Sequence, residues 1–231
     1  MSSPSPTHRP RALLPAAAVL LVLPVIVGVL VRGNVTNPPF QGLDNTWLRW
    51  MGGPHDGLPQ TVAGALNWFG GPYGALVQLA AVILLFAVRR RRSALFLFTA
   101  AIGGQLAIQG MKHIVDRPRP ANPLVTVDHG SFPSGHVATM AMVVVVIGVL
   151  CVPRAARRWW WPVAALLVLT MMWSRTWLHA HWLSDTAAGA LAGAGTTLLL
   201  WWVFAPLLAK DGRRKAPAPE AAAAAPATLG A

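Results

Sequence analysis

Apolar residues fall in six uncharged runs: Ala12–Val31, Pro72–Val88, Ala94–Met111, Val137–Val152, Trp159–Trp173 and Ala187–Leu208. A helix that crosses a bilayer needs about 20 residues, with about 17 to 25 typical. The first and last runs meet that length, and the others reach it when a flanking polar residue such as Lys112 or His136 joins the helix. The pattern predicts an all-α fold, an integral membrane bundle of six transmembrane helices. The first run follows Arg9 and Arg11, as a secretory signal would. It is long for a signal's apolar stretch, however, and no A-x-A site follows before Arg32, so it is read as a retained span. Between the first two runs, Leu43, Trp47, Leu48 and Met51 share one helical face, which predicts a short helix lying in the membrane interface. Gly70-Gly71-Pro72 then breaks the chain before the second span. The Ala/Pro-rich stretch after Lys215 predicts disorder, and there is no internal repeat.

Composition agrees with that pattern. Of the 231 residues, 55% are hydrophobic and 11% charged, where soluble domains carry about a quarter. A net charge of +12 would suggest nucleic acid in a soluble protein. Here most of the 19 basic residues cluster at Arg9 and Arg11, Arg89–Arg92, Arg154–Arg158 and Lys210–Lys215. All four clusters fall on one side of a six-span arrangement, which the positive-inside rule makes cytoplasmic, and no nucleic-acid partner is needed. Both termini are then inside, and 32–71, 112–136 and 174–186 face outward. The organisation expected is a cytoplasmic segment 1–11, a six-span domain 12–208 and a disordered cytoplasmic tail 209–231. Eleven Trp, many at the ends of apolar runs, suit interfacial anchoring, above all Trp159-Trp160-Trp161 and Trp201-Trp202. A lone Cys151 excludes an internal disulfide framework and a Cys-rich metal site.

Ionisable residues at membrane depth are costly and mark function. They concentrate in the second and third outer segments: Lys112, His113, Asp116, Arg117, Arg119, His129, Ser134, His136, Arg175, His179, His181 and Asp185. Several cations and imidazoles with few acids are what an anionic phosphate requires. Lys112-x6-Arg119-Pro120 sets one cation at a helix end and another on a Pro-stiffened loop. Pro133-Ser134-Gly135-His136 opens the fourth run with an N-cap serine and a glycine that admits close approach, where free N–H groups favour phosphate. Ser174-Arg175-x5-His181-x3-Asp185 adds a third cation and, if helical, a His–Asp pair on one face.

At these residues the chain resembles the type 2 phosphatidic acid phosphatase (lipid phosphate phosphatase and vanadium haloperoxidase) superfamily. Its K-x6-R-P, P-S-G-H and S-R-x5-H-x3-D patterns are complete and in order across Lys112–Asp185. The resemblance implies that Lys112, Arg119, Ser134, Gly135 and Arg175 bind phosphate. It makes His181 the nucleophile, Asp185 its partner and His136 the general acid. It also implies chemistry without a metal or other cofactor, and no metal-ligand spacing argues otherwise. His179 stands where members more often have Gly, and Arg117-Pro118 duplicates the R-P just before Arg119. Spacing selects Arg119 and leaves Arg117 as a head-group contact.

The function expected is hydrolysis of a lipid phosphomonoester or diphosphate at the outer face of a bacterial cell membrane. Undecaprenyl diphosphate is favoured over phosphatidylglycerol phosphate and phosphatidate, and the partners are the lipid substrate and membrane lipids. A lipid phosphotransferase, or a transporter or binding protein for anionic lipids, is the alternative. A transporter would place its charges near the midplane, often with a repeat between halves. A haloperoxidase would share the oxyanion site, but six spans favour a lipid. Taken singly, His113 and His129 read as solvated loop residues, Lys112 as a snorkelling anchor and Asp185 as a helix cap.

Overall fold

The computed structural model describes residues 11–213. Over them the chain is helical, without strands: α1 Leu13–Gly33, α2 Gln41–Trp50, α3 Gly57–Gly70, α4 Pro72–Ala87, α5 Arg91–Val115, α6 Gly135–Leu150, α7 Arg157–Trp177 and α8 Leu183–Arg213. Each apolar run of the sequence falls essentially within one of these helices. Residues 1–10 and 214–231, with Arg9, Lys215 and most of the expected tail, lie outside the described residues. The start of that tail is corrected. Asp211 accepts hydrogen bonds from Ser93 N–H and Oγ at 3.0 and 3.1 Å and pairs with Arg92 at 3.1 Å, so 209–213 continue α8.

Length and apolarity give three helices able to cross a membrane, namely α1, α5 and Leu183–Asp211 of α8. The pair α3 and α4, bent by 51°, makes a fourth if counted as one span. This is fewer than the six expected. The apolar α6 has only 16 residues, and α7 begins with Arg157 and Arg158. A belt of exposed apolar side chains, including Val25 and Val29 of α1, Leu76 and Ile83 of α4, Ile102 and Leu106 of α5 and Leu166 of α7, encircles the bundle. Such a continuous apolar exterior is a lipid-facing surface, and the protein is a membrane protein.

The outer segment before the second run holds two helices rather than one. The unexpected α3 packs on α7, where Ser174 Oγ donates to the Ala63 carbonyl at 3.1 Å and Trp177 Nε1 to Gln60 Oε1 at 3.2 Å. The expected helix is present as α2, but its buried face is polar: Gln41 and Asp44 are buried while Leu43 is 63% exposed. Arg117 causes that inversion, as shown below.

At the centre stands α8, against α1, α5, α6 and α7. Gly189 and Gly193, one turn apart, face α6 so closely that a methyl at either would overlap the backbone of Ser134 or Ala138. Small residues four apart let two membrane helices touch backbone to backbone. The contact fixes the start of α6, where Ser134 N–H donates to the Asp185 carbonyl at 3.0 Å. At the opposite end, Arg90 donates to the Leu150 carbonyl and Arg157 to those of Val149 and Val152, so the basic segments gather with the end of α8. Of the expected Trp anchors there, Trp159 is 69% exposed. Trp160 instead donates to the Val144 carbonyl at 3.0 Å, Trp161 packs over Gly148, and Trp201 carries Arg157 on its ring, so these three are partly buried against the protein.

Candidate active site

The end of α5, the start of α6, the end of α7 and the two loops 116–134 and 178–182 converge on one cavity of about 690 Å³. Lys112, Arg119, Gly135, His136, Arg175 and His181 line it, so six of the eight expected site residues share one space. Asp128 and the Gly70–Gly71 break between α3 and α4 complete its polar end. The cavity then descends between α4 and α5 along Leu79, Val82, Phe98 and Ile102. Ser134 and Asp185 are fully buried behind its wall.

His181 lies in the turn before α8, not on a helix as the His–Asp spacing suggested, because α8 begins at Leu183. Its Nδ1–H donates to the Ser131 carbonyl at 2.7 Å, which leaves the lone pair on Nε2, where Arg119 Nη1 approaches to 3.3 Å. Asp185 Oδ2 is 3.8 Å from Nδ1. That oxygen accepts the Trp182 N–H at 3.0 Å, the return bond of a capping box, so the carboxylate does act as a helix cap. The expected direct hydrogen bond from His181 to Asp185 is therefore replaced by one to a backbone carbonyl. Burial first, and then Arg119, Arg175 and Lys112, hold His181 well below the ordinary imidazole pKa, so at neutral pH it is an uncharged imidazole.

The cations are held by carbonyls and amides. Lys112 Nζ donates to the Gly130 carbonyl at 2.8 Å and lies 3.4 Å from Asp128 Oδ1. Arg119 contacts the same carboxylate and donates to the Gly130 and Ala180 carbonyls. Arg175 Nη1 donates to Asn67 Oδ1 at 2.6 Å. Arg175 Nε and Ser134 Oγ are buried without a hydrogen-bond partner. Leaving such a donor unpaired is costly, and an anion bound here would relieve it. Ser134 sits at the N-cap of α6, as expected, but its side chain makes no capping bond. Gly135 opens on the cavity, where an added methyl would meet only Ile108 at 3.7 Å. His136 Nε2 donates to the Asn67 carbonyl at 3.2 Å, and its ring fills the space beside Gly70 so closely that no side chain fits there.

Two expectations change. Arg117 is no head-group contact. Its side chain is wholly buried and donates to Asp185 Oδ1 at 2.7 Å, Ser184 Oγ at 2.8 Å, Asp44 Oδ2 at 2.8 Å and Gln41 Oε1 at 2.6 Å. His179 turns away from the cavity in a left-handed conformation, φ 52°, against His55. Burial, then His55, lowers its pKa. His113 and His129 are exposed and stack on each other, 4.2 Å between centroids, as loop residues.

Three contributors escaped the sequence. Asn67 holds both Arg175 and His136, and its seven-residue spacing from Gln60, two helical turns, was the available signal. Gly70 lies in the Gly70-Gly71-Pro72 break, where the sequence by itself marks only a turn. Asp128 is an acid in a segment otherwise rich in cations.

A family model described as the PAP2 superfamily matches residues 93–208. No curated protein matches the chain. Among solved structures, the chain is similar to the first transmembrane PAP2 type phosphatidylglycerolphosphate phosphatase from Bacillus subtilis. The TM-score is 0.65 and the identity 20%, covering 88% of this chain and 99% of that one. It is also similar to Aquifex aeolicus LpxE, with a TM-score of 0.57 and 21% identity over 68% of this chain and 94% of that one. At these identities the likeness is one of fold.

Proposed function

Because the chain belongs to the PAP2 superfamily and is a phosphoric ester hydrolase of that class, we propose that it removes phosphate from a membrane lipid through a phosphohistidine formed on His181. The observation that carries the lipid is the shape of the cavity. One continuous space joins three cations and a neutral imidazole to an apolar descent between α4 and α5, so a phosphoryl head and a hydrocarbon tail fit together.

In the first step His181 Nε2 attacks phosphorus in line. The N–P bond forms, the P–O bond to the lipid breaks, and His136 gives a proton to the leaving oxygen. Lys112, Arg119 and Arg175, with the Gly135 N–H and Ser134 Oγ, hold the non-bridging oxygens and their charge. Water, giving its proton to His136, then releases phosphate. Asp185 acts at one remove: it fixes the turn that carries His181 through Trp182 and Arg117, and at 3.8 Å it favours the positive charge that the imidazole gains. In this reading Lys112, Arg119 and Arg175 supply the positive charge, and the reaction is metal-independent, which the assay in EDTA tests.

The bundle is assigned six spans, with α6 and α7 among them and both termini cytoplasmic. The site then faces outward at the cell membrane. An outward site suits undecaprenyl diphosphate. Phosphatidylglycerol phosphate, the substrate in the name of the similar Bacillus subtilis enzyme, and phosphatidate offer the same phosphoryl chemistry.

The test is phosphate release by the purified protein from these three lipids and diacylglycerol pyrophosphate, in EDTA. At least one lipid turns over, His181→Ala loses on the order of 10³-fold or more, and His179→Ala keeps most activity. Release that requires added magnesium, or an active His181→Ala enzyme, overturns the mechanism.

A further inference from the structure

Asp128 has no part in the steps above, yet it stands inside the cation cluster. Its carboxylate lies 3.4 Å from Lys112 Nζ and in contact with Arg119 Nη2, where phosphoryl oxygens would bind. The side chain is 52% exposed, so it is free to swing into water, whereas both cations are anchored independently by the Gly130 carbonyl. The other nearby carboxylate, Asp185, is committed to Arg117 and Trp182 and does not compete. Burial alone would raise Asp128, but Lys112 and Arg119 hold it below the usual carboxylate value, so it is ionised at neutral pH.

We propose that Asp128 sets the charge selectivity of the site: its carboxylate occupies Lys112 and Arg119 between turnovers and yields only to a phosphoryl group carrying nearly two negative charges. The inference rests on the reading of the chain as a lipid phosphatase. An enzyme in a bilayer is surrounded by phosphodiester lipids, each with one charge on phosphorus, in the plane onto which its cavity opens. A diester that displaced Asp128 would exchange one negative charge for another. The carboxylate, already in place against Lys112 and Arg119, wins that exchange because it loses no translational or rotational freedom in binding, whereas the diester does. A phosphomonoester carries about −1.5 to −2 at neutral pH and gains where a diester does not. The terminal phosphate of a lipid diphosphate does likewise. After hydrolysis the same carboxylate competes with the released phosphate and speeds its departure.

The experiment uses p-nitrophenyl phosphate, so that the identity of the lipid does not matter. Turnover is measured in nonionic micelles with increasing phosphatidylglycerol, for the wild type, Asp128→Asn, Asp128→Ser and Asp128→Glu. The two neutral variants are expected to be inhibited by phosphatidylglycerol about tenfold more tightly than the wild type. Inorganic phosphate should also inhibit them more tightly, and Asp128→Glu should restore the wild-type pattern. Equal inhibition of all four proteins overturns the proposal. A fall in kcat with KM and both inhibition constants unchanged does so too, because it puts Asp128 in the chemistry or the fold. Calorimetric binding of inorganic phosphate to the same variants needs no turnover. If no lipid releases phosphate but Asp128→Asn still binds phosphate more tightly, the lipid phosphatase reading fails and the role of Asp128 stands.

Discussion

Arg117 and Arg119 are two residues apart, each precedes a proline, and they do opposite jobs. Arg119 reaches into the cavity, whereas Arg117 is enclosed by Asp44, Asp185, Gln41 and Ser184, with the rings of Phe40 and Trp182 over its guanidinium. Its fork joins α2, the loop before α6 and the start of α8 in one knot. Removing one member of a buried charge cluster strands the others and costs about 3–5 kcal/mol. Arg117→Ala should therefore lower the melting temperature sharply in detergent, and Arg117→Lys should recover only part of it, since an ammonium lacks the planar fork. Unchanged melting with a raised KM would instead return Arg117 to the substrate head group.

Among the elements, α3 and the break after it carry the most unexpected weight. Asn67 near its end supports Arg175, a proposed phosphate-binding cation, through its side chain and the proposed acid through its carbonyl. Gly70 then leaves just enough room for the His136 ring. Gly70→Ala should push His136 aside: an overpacked contact costs about 1–3 kcal/mol, and a displaced acid–base group about 10²–10⁴-fold in kcat. Measuring kcat beside the melting temperature separates the two effects. Full activity in the variant would show that His136 is not held by this contact. The sequence did not reveal α3 because its 14 residues fall short of a span and end in the glycines that mark a break.

At the scale of the molecule, the basic segments gather at one end of the bundle and the cavity opens at the other. Cys151 is exposed at the basic end and serves as an internal reporter. In intact cells an impermeant thiol reagent should leave Cys151 unlabelled and should label a cysteine placed at His129. After permeabilisation both should react. Labelling of Cys151 in intact cells would reverse the bundle and put the site in the cytoplasm.

Hydrophobic run length and motif spacing are local properties, and they were sufficient to give the helices carrying all six runs, the basic end and six of the residues that line the cavity, though not Gly70 or Asp128, which line it too. A bilayer leaves a helix as the way for such a run to satisfy its own backbone, and K-x6-R-P, P-S-G-H and S-R-x5-H-x3-D are visible at any scale of reading. The partners of those residues are not local. Arg117 meets Asp44 across 73 positions, Arg175 meets Asn67 across 108, and His181 finds the Ser131 carbonyl across 50. Each depends on how far α6 and α8 approach at Gly189 and Gly193 and on where loop 116–134 then lies. The i,i+4 spacing of His181 and Asp185 suggested a direct bond, but the start of α8 at Leu183 turned the carboxylate to its own helix N-terminus. Tertiary structure decided these matters because a buried polar group is satisfied by whichever donor or acceptor the packing brings to it, and spacing along the chain does not encode that choice.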